Sequence, residues 1–231
     1  EYTKESIKET ITLFNNKTQV KNDSSPFFYP RREDSLFWCL FISFHGFAEF
    51  HFIGKKYANR EMDEKKQMMD TIKKKPSLLK ETNYKVTNVF IQEILSDLLI
   101  NRKTQLSILL AFVAFYKKKV FLTKDNTYLY YSYNKDAIDI TDLSDTIIIH
   151  FDTETKLYGL DIEVTQEKIN NIINSNLRLE HFNKPLKGVS TYKVCEIDEI
   201  ARKLDLPQNE IMNMKKPDLY QLIYNKCLWV V

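Results

Sequence analysis

Asp34, Ser35 and Cys39 open an apolar stretch that runs to Gly46, and His150 and Asp152 follow far along the chain. These are the residue types of nucleophilic acyl transfer. A hydroxyl or thiol attacks, an imidazole takes its proton, and a carboxylate orients the imidazole. At the mouth of a buried helix, the helix dipole and unpaired N–H groups lower a thiol's pKa and can hold an oxyanion. Here the position at the mouth carries Ser35, and Cys39 lies a full turn inside, among Leu36, Phe37, Trp38, Leu40 and Phe41. A thiolate at Cys39 would be stripped of water, which disfavours it. If the chain catalyses anything, Ser35 or Cys39 with His150 and Asp152 is the candidate set. The plainer alternative makes Asp34 and Ser35 helix N-caps, Cys39 a small buried hydrophobe and His150 a strand-end residue.

The elements that must position these groups follow from periodicity. Residues 34–46 read as one helix, capped by Asp34 or Ser35, closed by Gly46 and apolar on every side, which places it at the centre of a domain. Before it, residues 1–15 read as a short amphipathic helix through Ile7, Ile11, Leu13 and Phe14, followed by a polar linker to Ser25. Arg60–Lys75 reads as a charged surface helix with Met62, Met68, Met69 and Ile72 inward. Thr87 caps a further helix, and Thr104 opens another that runs to Tyr116. The period then changes to two. Residues 119–123 and 127–133 read as one hairpin, and 146–151 with 156–163 as a second. Another helix covers 166–176. Helices first and antiparallel strands second predict an α+β fold. The expected division is 1–25 as helix and linker, 26–180 as the α+β core and 190–231 as a small helical module.

That last segment holds two predicted helices, 196–206 and 218–229, around Pro207-Gln208-Asn209 and Lys215-Lys216-Pro217. Arg202, Lys203, Lys215 and Lys216 are its candidate nucleic-acid contacts, because cations and a helix N-terminus can both meet phosphates. A two-helix packing element with solvated lysines is the alternative. The lysine runs 73–75 and 117–119 read as helix ends.

Composition bounds the rest. With 231 residues, 43% hydrophobic and 13% aromatic, the chain can fill one large domain or a domain with an appendage. A net charge of +3 permits anionic partners without demanding them. The three cysteines show no C-x-x-C spacing, which argues against a zinc site or a disulfide framework and suits a reducing compartment. His45, His51, His150 and His181 are scattered, so no metal site is expected, and four glycines leave no phosphate loop. No cofactor is expected. No apolar run reaches the roughly 20 residues of a membrane span. The opening at Glu1, without Met, is expected to mark a piece of a longer or processed polypeptide.

Three resemblances sharpen these expectations. The layout Asp34-Ser35-Leu36-Phe37, then helix into strand, then His150-Phe151-Asp152 resembles that of papain-like and ovarian-tumour (OTU) peptidases, with the nucleophile position filled by serine. Tyr158-Gly159 stands where some of those enzymes carry His-Tyr, as if a catalytic residue had been lost. Residues 190–229 resemble a SAP module, which implies DNA contact through the backbone. The string Phe28-Tyr29-Pro30…Asp34-Ser35-Leu36-Phe37-Trp38-Cys39 resembles the signature of an uncharacterised family of nucleocytoplasmic large (giant) DNA viruses, and the Lys-, Asn- and Ile-rich composition agrees with it.

Together these imply a degenerate papain-like core with no catalytic residues, in a virion-associated structural protein such as a minor capsid or capsid–genome bridging component. Its expected partners are other viral structural proteins and DNA, and its expected location is the virion and the host cytoplasm. The adhesive surfaces would be the N-terminal helix, the aromatic strand 127–133 and the basic C-terminal module. The alternatives are a papain-like or OTU-type peptidase or deubiquitinase, and a SAP-type DNA-binding factor.

Overall fold

A computed structural model describes residues 26–135, 138 and 141–229. The expected helix over 1–15 and the linker to Ser25 lie outside the described residues. The order of elements is β1 (Phe27–Phe28), α1 (Ser35–Phe52), α2 (Tyr57–Lys74), α3 (Ser77–Glu81), α4 (Asn88–Ile100), α5 (Leu109–Tyr116), β2 (Lys119–Lys124), β3 (Thr127–Ser132), β4 (Thr146–Phe151), β5 (Tyr158–Asp161), α6 (Gln166–Ser175), β6 (Leu177–Arg178), a 3-10 turn (Val189–Thr191), α7 (Val194–Lys203), α8 (Gln208–Ile211) and α9 (Lys216–Cys227). The fold is α+β: helices surround one six-stranded sheet of order β1-β5-β4-β2-β3-β6.

Both predicted hairpins form, β2–β3 and β4–β5, each antiparallel. The sheet as a whole is mixed, because β4 runs parallel to β2 and β6 parallel to β3. After β3 the next strand joins the sheet on the far side of β2 rather than beside β3, and alternation within a strand holds no information about that choice.

Strand alternation sorts the sheet into two faces. Val120, Leu122, Leu129, Tyr131, Ile147, Ile149, Phe151, Tyr158 and Leu160 join the main core with the helices. Phe121, Tyr128, Tyr130 and Ile148 point the other way and are covered by Ile169 of α6. Tyr128, Tyr130 and Tyr131 are therefore buried, and β3 is not the adhesive surface expected of it. An alternating strand in mid-sheet loses both faces to packing.

The helix α1 is the axle of the main core, as its all-round apolar sequence requires, with Leu36 to Ile42 buried without a break. Gly46 does not end it. The glycine adopts φ 84° and ψ 166°, kinks the helix, and the chain resumes to Phe52. Beyond the kink, Phe50 packs on Trp38 with ring centroids 5.6 Å apart, and Phe47 meets Phe28 at 5.0 Å. Other boundaries follow their caps. Thr87 accepts from the Phe90 amide at 3.2 Å, and Thr165 from the Lys168 amide at 3.2 Å. Thr104 instead precedes a turn, and the regular helix begins at Leu109.

Residues 194–227 form the predicted helix–loop–helix, with Gln208–Ile211 as a short helix where a break was read. Its apolar residues Ile197, Ala201, Leu204, Leu219, Ile223 and Trp229 belong to the same buried cluster as α1 and the sheet. The Lys124 amine donates to the Leu228 carbonyl at 2.8 Å, and Trp229 lies 6.3 Å from Phe151 between ring centroids. Among the described residues no helix is long and apolar enough to cross a membrane.

Candidate functional site

The mouth of α1 faces a cleft of about 780 Å³, bordered by Asp34, Ser35, Lys103, Thr104, Lys156, Tyr158, Phe182 and Trp229 among others. Of the two caps expected, Asp34 takes the role: its Oδ1 accepts from the Phe37 amide at 3.0 Å. Its other oxygen accepts from the Thr104 amide and hydroxyl, each at 2.7 Å, and from the Lys65 amine at 3.0 Å. With four donors on one carboxylate, Asp34 ties α1, α2 and the turn before α5 together. None of these four donors is an imidazole.

Ser35 is 4% exposed, and its Oγ accepts the Tyr158 amide hydrogen at 3.0 Å. Cys39 is fully buried, and its Sγ donates to the Tyr158 carbonyl at 3.3 Å. The two candidate nucleophiles thus clamp both backbone polar groups of one residue and fasten β5 to α1. Burial, reinforced by the Asp34 charge, pushes the Cys39 thiol well above its ordinary pKa. It stays protonated, as a donor must.

His150 is not brought to this mouth. Ile149 and Phe151, its neighbours on β4, face α1, so the imidazole points through to the opposite face of the sheet. There its Nδ1 lies 3.0 Å from the Thr123 hydroxyl and its ring stacks on Phe27 at 5.0 Å. Burial lowers its pKa, partly offset by Asp152 and Asp125. Asp152 begins the β4–β5 turn, where it accepts from the Glu154 amide at 2.8 Å and the Thr155 hydroxyl at 2.8 Å. Burial raises the Asp152 carboxyl, but these bonds outweigh it and the net shift is downward. The catalytic set Ser35, Cys39, His150 and Asp152 is therefore split by the sheet. No histidine borders the cleft.

Gly159 explains the Tyr-Gly pair at this place. A Cβ there would meet the Tyr29 ring at 2.7 Å, so glycine is what lets that ring lie on β5.

Two buried charges in α2 escaped sequence reasoning. Lys65, 5% exposed, bridges Asp34 and Glu61, the latter at 2.7 Å. Glu64, 2% exposed, accepts from the Tyr116 hydroxyl and lies 3.0 Å from His45 Nε2 and 3.2 Å from the Arg60 guanidinium. Burial and the hydrogen bond to Glu64 keep the Tyr116 phenol protonated. In the sequence these residues look like any solvated Glu/Lys face. Only the i,i+4 pairs Arg60–Glu64 and Glu61–Lys65 hint otherwise.

The nucleic-acid candidates divide between two helix ends. Arg202 and Lys203 are exposed in the last turn of α7, and Lys215 and Lys216 begin α9 ahead of Pro217. The α9 N-terminus has no side-chain cap. Among the described residues, no group of three or more His, Cys, Asp or Glu could hold a metal ion. No protein-family model matches the chain, and neither a curated protein nor a solved structure matches it significantly.

Proposed function

We propose that the chain is a non-enzymatic, virion-associated structural protein of a giant virus, a minor capsid or capsid–genome bridging component that acts through contacts with other viral structural proteins. One observation carries the non-enzymatic part. The hydroxyl of Ser35 and the thiol of Cys39 are both committed to the Tyr158 backbone, while the imidazole of His150 faces the far side of the sheet. A nucleophile needs a base within hydrogen-bond reach, and the bonds that Ser35 and Cys39 make here go to the Tyr158 backbone instead. The viral setting is supported by the Asp-Ser-Leu-Phe-Trp-Cys resemblance and the Lys-, Asn- and Ile-rich composition.

The test is direct. Incubation with fluorogenic ubiquitin and peptide substrates, and with electrophilic active-site probes, is expected to give neither turnover nor labelling. Probe labelling of Ser35 or Cys39 in the folded protein would overturn the reading. Cross-linking within purified particles is expected to join this chain to other virion proteins. Its absence from particles would remove the structural role.

A second reading has its own observation. Exposed Lys215 at the uncapped start of α9, beside Lys216, supports duplex DNA contact by the C-terminal helix pair. A salt-dependent duplex shift lost on Lys215→Glu with Lys216→Glu is its expected signature, and salt-insensitive binding would count against it.

A further inference from the structure

The lysine runs that look like separate helix ends in the sequence meet at one end of the fold. The C-terminus of α2 brings Lys73, Lys74 and Lys75, α3 brings Lys80, the turn after α5 brings Lys117, and the segment after β3 brings Lys135. All six are exposed, and none has a salt-bridge partner among the described residues. Lys80, Lys117 and Lys135 line a groove of about 540 Å³ together with Ser77, Glu81 and Tyr133. Contacts of α3 with α5 and with α2 hold these elements in register.

Helix-dipole compensation does not account for so many cations. Each helix C-terminus carries about half a negative charge, and only the ends of α2, α3 and α5 lie here. Among the described acidic residues, Glu81 lines the groove, Asp70 lies about one turn before Lys73 and Lys74 in α2, and Asp145 is already paired with Lys118 at 3.2 Å. A concentrated positive field remains, on a chain whose net charge is only +3. Such a field attracts polyanions.

The aromatic side chain selects among them. Tyr133 is half-buried in the groove, so its ring is held in place with a part left open. A fixed ring between lysines is what an unpaired base stacks on while its flanking phosphates meet the ammonium groups. A recess of this size receives a base, whereas a duplex would present only its outer rim. An anionic bilayer fits less well, because no exposed large hydrophobic residue lines the groove to enter the acyl region.

We propose that this groove binds single-stranded nucleic acid, with Lys80, Lys117 and Lys135 on phosphates and Tyr133 under a base. The surface is built from elements other than the C-terminal helix pair, and it stands whether or not the α1 cleft is catalytically silent.

The experiment is fluorescence polarisation of the full chain with a labelled oligothymidine at several salt concentrations. Binding is expected to weaken linearly in log–log form with salt. Lys80→Gln, Lys117→Gln and Lys135→Gln combined are expected to lower affinity tenfold or more and flatten the slope by about 2, at ~0.7 per phosphate contact. Tyr133→Leu is expected to weaken binding while Tyr133→Phe retains it. Lys55→Gln with Lys56→Gln, at the opposite end of α2 from Lys73–Lys75, is expected to leave it unchanged. Thermal unfolding confirms that each variant is folded. The proposal is overturned by absent binding at low salt, by a triple variant that binds like the parent, or by loss confined to the Lys215/Lys216 variant. It is equally overturned if phosphatidylserine vesicles or an acidic peptide bind the groove and the oligonucleotide does not compete.

Discussion

Ser35 Oγ accepts the hydrogen of the Tyr158 amide at 3.0 Å across 123 residues of chain. The hydroxyl that heads the central helix is therefore a structural acceptor, and the amide it satisfies is buried with it. Ser35→Ala leaves that N–H without a partner, which costs about 1–3 kcal/mol. Urea unfolding checks this. A change below a few tenths of a kcal/mol would show that the bond does not matter to the fold and would free the hydroxyl for another role.

Cys39 makes the complementary bond, and its thiol can be followed chemically. Of the three thiols, Cys195 is exposed, while Cys39 and Cys227 are buried. Burial pushes Cys227 up to about 12, despite the nearby Lys124 and Lys226 charges, and burial with the Asp34 charge raises Cys39 as well. Native protein at neutral pH is expected to react with a disulfide reagent at Cys195 alone, with the other two reacting only on unfolding. Rapid native labelling of Cys39 would contradict the clamp on Tyr158.

Gly159 supplies a packing test on the same strand. A methyl group at 2.7 Å from the Tyr29 ring forces the ring or β5 to move, so Gly159→Ala is expected to destabilise by about 1–3 kcal/mol. In a double-mutant cycle, Tyr29→Ala should remove most of that penalty, because the two side chains occupy one space. Additive effects would place the strain elsewhere.

What the sequence made legible, and what it hid, follows from the kind of information each residue carries. Local rules found Asp34 and Thr87 as caps, because a cap needs only an acceptor three residues before an amide. The change to a two-residue period found both hairpins. Gly46 misled, because a positive φ can either end a helix or kink it, and the aromatic residues beyond it decided for the kink by packing on Trp38 and Phe28. The candidate dyad failed at the step from sequence to face. The counting that puts Ile149 and Phe151 against α1 must put His150 on the other side, yet which residues face α1 depends on a strand order that no local pattern encodes. Lys65 and Glu64 were hidden for a related reason: the partners that make their burial tolerable, Asp34 and Tyr116, lie on other helices.

That buried charge gives a large predicted effect. Lys65 sits between Asp34 and Glu61 at 3.0 and 2.7 Å and is nearly inaccessible. Removing one member of such a set leaves an unpaired charge in the core, at a cost of about 3–5 kcal/mol. Lys65→Met is expected to unfold at markedly lower denaturant, and Lys65→Met with Asp34→Asn to recover part of the loss. No recovery would mean that Asp34 matters mainly through Thr104 and the helix cap.

Acid should act through the histidines. Burial lowers the pKa of both His150 and His181 below 6.5, against the raising influence of Asp152 and Asp125 on the first and the Asn183 hydrogen bond on the second. Each therefore binds a proton more readily in the unfolded chain. Their contribution to stability is full above about 6.5, the unfolded value, and is lost as pH falls toward the folded values. Unfolding free energy measured from pH 7.5 downward is expected to decline across that window. In the variant combining His150→Gln and His181→Gln, the decline between about pH 6.5 and the onset of carboxylate protonation should be shallower. An unchanged slope would assign the acid sensitivity to other groups and would mean that His150 accepts its proton without leaving the Phe27 ring and the Thr123 hydroxyl.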